Sequence, residues 1–192
     1  MARWEPNARE RLVRAALDLF AEQGYDATTV NQIAERAGGL TKTTFFRHFS
    51  GKREVLFAAG QEVHSRLMAD AIAAAPDSAT PLEAVASGLD AVTATFTGDR
   101  RELSARLRAV IAGNSELRER AMSKRAALAE AMTDALRKRG VPDPAASLAA
   151  ELGARAFYHA FDQWADLANQ QTFTDLARRA LGELRSAIAT LD

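Results

Sequence analysis

The 192-residue sequence predicts an all-α fold of about nine helices. Three observations carry this expectation. Apolar residues recur three and four apart along almost the whole chain after residue 6. Strand-like alternation of Val, Ile, Thr and aromatic residues is absent over any useful length. Capping residues, glycines and prolines interrupt the pattern at helix-length intervals.

The first helix spans Asn7 to Gln23, with Leu12, Val13, Ala16, Leu17 and Phe20 inward and Gly24 placed as a left-handed C-terminal cap. Thr29-Val30-Asn31-Gln32 reads as a capping box, in which the Thr29 hydroxyl takes an orphan amide of the first turn and the Gln32 side chain reaches back. Val30, Ile33, Ala34 and Ala37 form the buried stripe of this short second helix, and Gly38 and Gly39 end it. A third short helix takes Thr41 as N-cap, with Leu40 and Phe45 as a hydrophobic staple, and runs to about His48. Three helices of this size around a tight glycine turn make a helix-turn-helix.

A longer fourth helix starts at Ser50, with Val55, Leu56, Ala59, Val63 and Leu67 inward, and ends near Ala75 before Pro76-Asp77-Ser78. It joins an N-terminal domain, residues 1–53, to a larger one, residues 54–192. Thr80-Pro81-Leu82-Glu83 is a second capping box with proline at the first helical position, and Asp99 with Glu102 offers an acidic start to the sixth helix. The seventh runs from about Ser115 to Arg139 before Gly140-Val141-Pro142. The eighth takes Asp143 as cap and Pro144 as first residue, and the ninth runs from about Phe173 to Thr190.

Lys plus Arg equal Asp plus Glu at 25 each, but the charge is unevenly placed. Residues 1–53 hold nine basic against six acidic groups, and the remainder sixteen against nineteen. A nucleic acid would therefore sit at the N-terminal end. The lack of cysteine excludes disulfides, thiolate metal sites and cysteine nucleophiles. No secretory pattern opens the chain and no stretch approaches the roughly 20 apolar residues of a membrane span, so the expectation is a cytoplasmic protein without membrane contact. His48, His64 and His159 sit at no metal-ligand spacing, and no phosphate loop or nucleophile motif is present; neither an enzyme nor a cofactor is expected.

Thr29-Val30-Asn31-Gln32-Ile33-Ala34-Glu35-Arg36-Ala37-Gly38, followed by Leu40-Thr41-Lys42-Thr43-Thr44-Phe45-Phe46-Arg47-His48-Phe49 and Lys52, closely resembles the DNA-binding motif of TetR-family regulators. The resemblance implies that helices one to three bind double-stranded DNA, that helices five to seven surround a ligand cavity, and that the last two helices build a homodimer. It departs from the family pattern at one point: both Gly39 and Leu40 separate the helix-ending glycine from the Thr41 cap, where one residue is usual. A glycine takes a positive φ cheaply, so the turn is expected to absorb it.

In such a head the first residues of the third helix meet base edges, which singles out Thr41, Lys42, Thr43 and Thr44. Phe46, Arg47 and His48 flank the groove; Phe46 stands where the family usually has tyrosine and can supply a methyl contact or simple packing. Lys52 and Thr29, at helix starts, are phosphate candidates, and Arg3 and Arg9 could trail along the backbone. As surface charges, caps and core residues, the same side chains would suit a protein that never touches DNA.

In the eighth helix Ala149, Gly153, Ala156 and Ala160 fall on one stripe with Leu167, which reads either as a dimer seam with the ninth helix or as close packing within the subunit. Phe157, Phe161 and Trp164 lie beside it, and Phe96, Leu103, Leu107, Ile111 and Met122 add apolar surface from other helices. Together these suit either an ordinary core or a cavity for a small hydrophobic effector, with His64, Arg108 and Tyr158 as polar contacts. The functional reading is a dimeric, ligand-responsive repressor of a palindromic operator. The competing one is a ligand-binding or protein-docking module whose DNA-reading head no longer functions.

Overall fold

The computed structural model describes residues 8–57 and 61–191, apart from the side chains of Gln61 and Asp99. Arg3, Asn7 and Ala59 lie outside the described residues. All regular structure among those described is helical, in two compact units. One comprises the chain up to Gln61 with Arg106–Arg118; the other comprises Glu62–Ala105 and the chain from Glu119 onward.

The first unit contains α1 (Ala8–Gln23), α2 (Val30–Arg36), α3 (Lys42–His48) and α4 (Glu54–Phe57). Leu12, Ala16, Leu17 and Phe20 of α1 are buried, as are Ile33, Ala34, Phe45, Phe49, Val55 and Leu56, where α1 packs on α2 and α4 and α2 packs on α3. Gly24 has φ +85° and ends α1 in the left-handed conformation expected of it. The segment Arg106–Arg118 joins this unit through side chains: Arg106 pairs with Asp18, the Tyr25 hydroxyl donates to Glu116 Oε1 at 3.2 Å, and Arg53 lies 3.7 Å from Glu116. Contacts at such sequence separations leave no local mark, which is why the division differs from a boundary read at residue 53.

The remaining helices are α5 (Gln61–Ala73), α6 (Pro81–Thr93), α7 (Arg101–Ala112), α8 (Ser115–Lys138), α9 (Asp143–Trp164) and α10 (Phe173–Ile188). Thr80 and Glu83 form the expected capping box, and Thr172 caps α10 by accepting from the Asp175 amide. The core of the second unit is built from Met68, Ile72, Val85, Leu89, Met132, Leu136, Phe157, Trp164, Phe173 and Leu176, with the small residues of α9 between them. Arg139 closes the end of α5 by donating to the carbonyls of Ala73, Ala75 and Pro76 at 3.1, 2.7 and 2.7 Å.

Several sequence expectations are corrected. The fourth helix is described from Glu54 rather than from Ser50, and residues 58–60 of its expected span lie outside the described residues. Val63 is 67% exposed, and Met68 and Ile72 are the fully buried residues of α5. Periodicity located an apolar stripe there, but which edge of it turns inward depends on the facing helices. The sixth helix begins at Arg101 after a 3-10 turn, Gly98–Arg100, rather than on Asp99. Asp143 is the first residue of α9, with Pro142 at the N-cap, because its carboxylate pairs with Arg137.

The alanine-rich stripe is also corrected. Ala149, Gly153, Ala156 and Ala160 are all buried within the subunit, so they form no exposed seam. A Cβ on Gly153 would lie 2.5 Å from Val85 Cγ1 and 3.1 Å from Met132 Sδ. These small side chains let α6 and α8 approach α9 closely. Leu167, which the sequence placed with them, is exposed.

Candidate nucleic-acid interface

The turn between α2 and α3 accommodates the additional residue by placing two consecutive glycines in the left-handed region, with φ +94° at Gly38 and +73° at Gly39. In a Schellman ending the closing amide reaches five residues back. Here the Leu40 amide donates to the Ala34 carbonyl, six residues back, at 2.9 Å. One wider loop is therefore closed by a regular hydrogen bond. Arg11 of α1 then clamps it, Nε donating to the Ala37 carbonyl at 2.8 Å and Nη2 to the Gly38 carbonyl at 3.3 Å. Sequence reading missed Arg11: it lies 26 residues away, and nothing in its neighbourhood marks it.

The start of α3 is fixed by its cap. Thr41 Oγ1 accepts from the Thr44 amide at 3.1 Å, and the two hydroxyls lie 3.0 Å apart. Phe45 is fully buried and anchors the helix from below, 5.5 Å from Phe49. Lys42, Thr43, Phe46 and Arg47 are left exposed, and at 100° per residue they occupy one continuous arc of the helix. Two cations, a hydroxyl and an aromatic ring thus share a face able to contact phosphates and base edges. Thr44 and His48 are half-buried at its margins.

Thr29 caps α2 as expected: its backbone amide donates to Gln32 Oε1 at 2.8 Å while the Gln32 amide donates to its hydroxyl at 3.3 Å. Lys52 is turned toward Tyr25, donating from Nζ to its carbonyl at 2.7 Å and lying 4.0 Å from the centre of its ring. An ammonium has three donors, so a phosphate could still be met, but holding the loop after α1 is what the geometry of Lys52 shows. Burial, and secondarily the carboxylate of Glu116, pushes the Tyr25 phenol up to about 12. Arg9 lies 5.7 Å from the centre of the Phe49 ring.

The family model described as "Bacterial regulatory proteins, tetR family" matches residues 12–59, the segment that builds this head. The chain is 42% identical over 84 residues to the HTH-type transcriptional regulator TcmR of Streptomyces glaucescens, covering 44% of this chain and 36% of that protein. It is 36% identical over 83 residues to the HTH-type transcriptional regulator BetI of Rhizobium meliloti, covering 43% and 40%. Residues 12–59 carry the DNA-binding domain of the TetR family.

The fold of TetR-family structures extends along the rest of the chain. A transcriptional regulator FadR from Bacillus subtilis, solved in complex with stearoyl-CoA, matches with a TM-score of 0.59 at 20% identity, covering 91% of this chain and 96% of that one. Salmonella enterica GusR matches with a TM-score of 0.55 at 20% identity, covering 95% and 97%. At these identities the likeness concerns fold alone. The matches to TcmR and BetI span under half of either relative's length.

Of the seven side chains read as ligand-lining, five belong to the second unit and two to the first. Phe96, Phe157, Phe161 and Trp164 form a ring cluster in the second unit with centroid separations of 5.7–6.3 Å. Phe173, which sequence reading passed over, is at its centre, 5.0 Å from Phe96 and stacked on Trp164 at 5.4 Å. Its position one residue after the Thr172 cap was the available signal. Trp164 and Phe157 are buried, and Phe96 and Phe161 half-buried. Leu107 and Ile111 belong to the first unit, and Met122 is 69% exposed. The exposure of Met122 departs from the lining role read for it: regular spacing marked it as apolar, but only tertiary packing decides which surface it joins.

His64 lies 4.9 Å from Phe96, and burial, aided by Arg100, holds its pKa below the usual imidazole value. Tyr158 packs 5.2 Å from Phe157 with the Arg125 guanidinium 4.6 Å from its ring centre, and burial raises its phenol to about 12. His159 and Gln163 share a hydrogen bond of 2.8 Å on the surface of α9. Among the described residues no group of three His, Cys, Asp or Glu could hold a metal, and no helix is long and apolar enough to cross a membrane.

Proposed function

We propose that the chain is a cytoplasmic, ligand-responsive transcriptional regulator, a repressor that binds a palindromic operator as a homodimer and is released by a small hydrophobic effector. The observation that carries this reading is the exposed arc of Lys42, Thr43, Phe46 and Arg47 on a helix fixed by the Thr41 cap and the Arg11-clamped turn. Its cations supply phosphate attraction, and Thr43 with the N-terminal turn reads bases. Thr29, Thr41, Thr44 and His48 border the contact, and Lys52 serves it mainly by positioning. Names among the relatives, such as the HTH-type transcriptional repressor AcnR of Corynebacterium efficiens, favour repression.

Dimerisation is assigned to the outward faces of α9 and α10, where Leu148 is exposed, rather than to the buried alanine stripe. A symmetric dimer presents two reading helices to two half-sites. The cluster around Phe96 is the place for an apolar effector, and the stearoyl-CoA bound by the Bacillus relative supports a ligand of that character. Whatever factor the effector takes from DNA affinity, DNA takes from effector affinity.

The test selects duplexes from a random pool and titrates the best at two salt concentrations. An enriched palindrome whose affinity falls steeply with salt, and falls again in a Lys42→Ala, Arg47→Ala double variant, supports the reading. No enrichment, or binding indifferent to both changes, favours a docking module with a silent head.

A further inference from the structure

We propose that Phe46 is a specificity residue that reads the C5-methyl group of thymine. The inference rests on the DNA-binding reading above and goes beyond it by assigning a base feature to one side chain.

Phe46 is 47% exposed, while every other phenylalanine described in the first unit is buried or half-buried. Simple packing therefore does not account for it. The ring is nevertheless held in place: Phe45 meets it edge-on at 5.5 Å with an interplanar angle of 82°, and Lys42, one turn earlier, lies 5.9 Å from its centre. It shares the exposed arc of α3 with Lys42, Thr43 and Arg47. A phenyl group can neither donate to a phosphate nor pair with the polar edge of a base. In the major groove the apolar feature that distinguishes one base from the others is the thymine methyl. A fixed, half-exposed ring between two phosphate-seeking cations is placed to cover that methyl, and the cations set its register.

Deoxyuridine differs from thymidine by that methyl alone. Thymines in the selected duplex are replaced one at a time, and binding is measured for the wild type, Phe46→Ala and Phe46→Tyr, with helicity checked by circular dichroism. The wild type is expected to lose about fourfold in affinity at one thymine per half-site, the equivalent of one buried methyl. Phe46→Ala should bind the thymine and uracil duplexes equally, and Phe46→Tyr, which keeps the ring, should retain the discrimination. Wild-type binding that ignores every substitution, or full discrimination surviving in Phe46→Ala, overturns the inference while leaving DNA binding intact. Failure to bind any duplex overturns the DNA-binding reading and this inference with it.

Discussion

Alanine at Gly38 and alanine at Gly39 should differ in cost although both glycines have positive φ, and the difference measures the Arg11 clamp. The left-handed conformation penalises a side chain by about 1–2 kcal/mol at either position. At Gly39 nothing lies within 4 Å of an added Cβ, so that penalty is the whole effect. At Gly38 the added Cβ would overlap the guanidinium of Arg11, whose Cζ would be 2.9 Å away. Arg11 must then leave, and its hydrogen bonds to the carbonyls of Ala37 and Gly38 are lost, at a further cost of about 1.5–3 kcal/mol for bonds from a charged donor. Gly38→Ala should therefore destabilise the head by about 2 kcal/mol more than Gly39→Ala. Amide hydrogen exchange in α2 and α3 is the suitable assay, since it reads the stability of these two helices directly. A double-mutant cycle isolates the pairwise term. In an Arg11→Ala background Gly38→Ala should cost no more than Gly39→Ala. An equal cost for Gly38→Ala in both backgrounds would refute the reasoning.

Replacing Lys52 by methionine removes its hydrogen bond to the Tyr25 carbonyl and its contact with the ring, and should lower the stability of the head by about 1–2 kcal/mol in the same exchange assay. The chain has two tyrosines, Tyr25 and Tyr158, both raised to about 12, chiefly by burial. Between pH 10 and 12 the unfolded chain releases phenol protons that the folded chain keeps, so stability is full below pH 10 and falls as pH rises through this window. Ultraviolet titration should show little tyrosinate at pH 11 in the folded protein, and ordinary tyrosine titration near pH 10 would contradict both environments. Gly153→Ala should destabilise the second unit by about 1–3 kcal/mol through overpacking against Val85 and Met132, measured by Trp164 fluorescence in urea in a Trp4→Phe background, with unchanged affinity for the selected duplex. Leu148→Glu should shift sedimentation from dimer to monomer at micromolar concentration without loss of helicity, and an unchanged sedimentation coefficient would move the dimer interface elsewhere.

Most of what is decided within one helical turn was legible in the amino-acid sequence. The boxes at Thr29 with Gln32 and Thr80 with Glu83 and the Thr41 cap form as read, because an orphan amide finds its acceptor three residues away, and Gly24, Gly38 and Gly39 end their helices because glycine takes a positive φ without strain. Exposure of Lys42, Thr43 and Arg47 also followed from the short helix built around Phe45. Tertiary structure decided whatever depended on a distant partner. It turned Met68 and Ile72 inward and Val63 outward, enclosed the stripe through Gly153 within the subunit, drew Asp143 to Arg137, and placed Phe173 at the centre of the aromatic cluster. It also set Arg11 on the turn and Lys52 on Tyr25. Periodicity tells that a helix has an apolar side; it does not tell which element will cover that side, nor which carbonyl a long cationic side chain will reach.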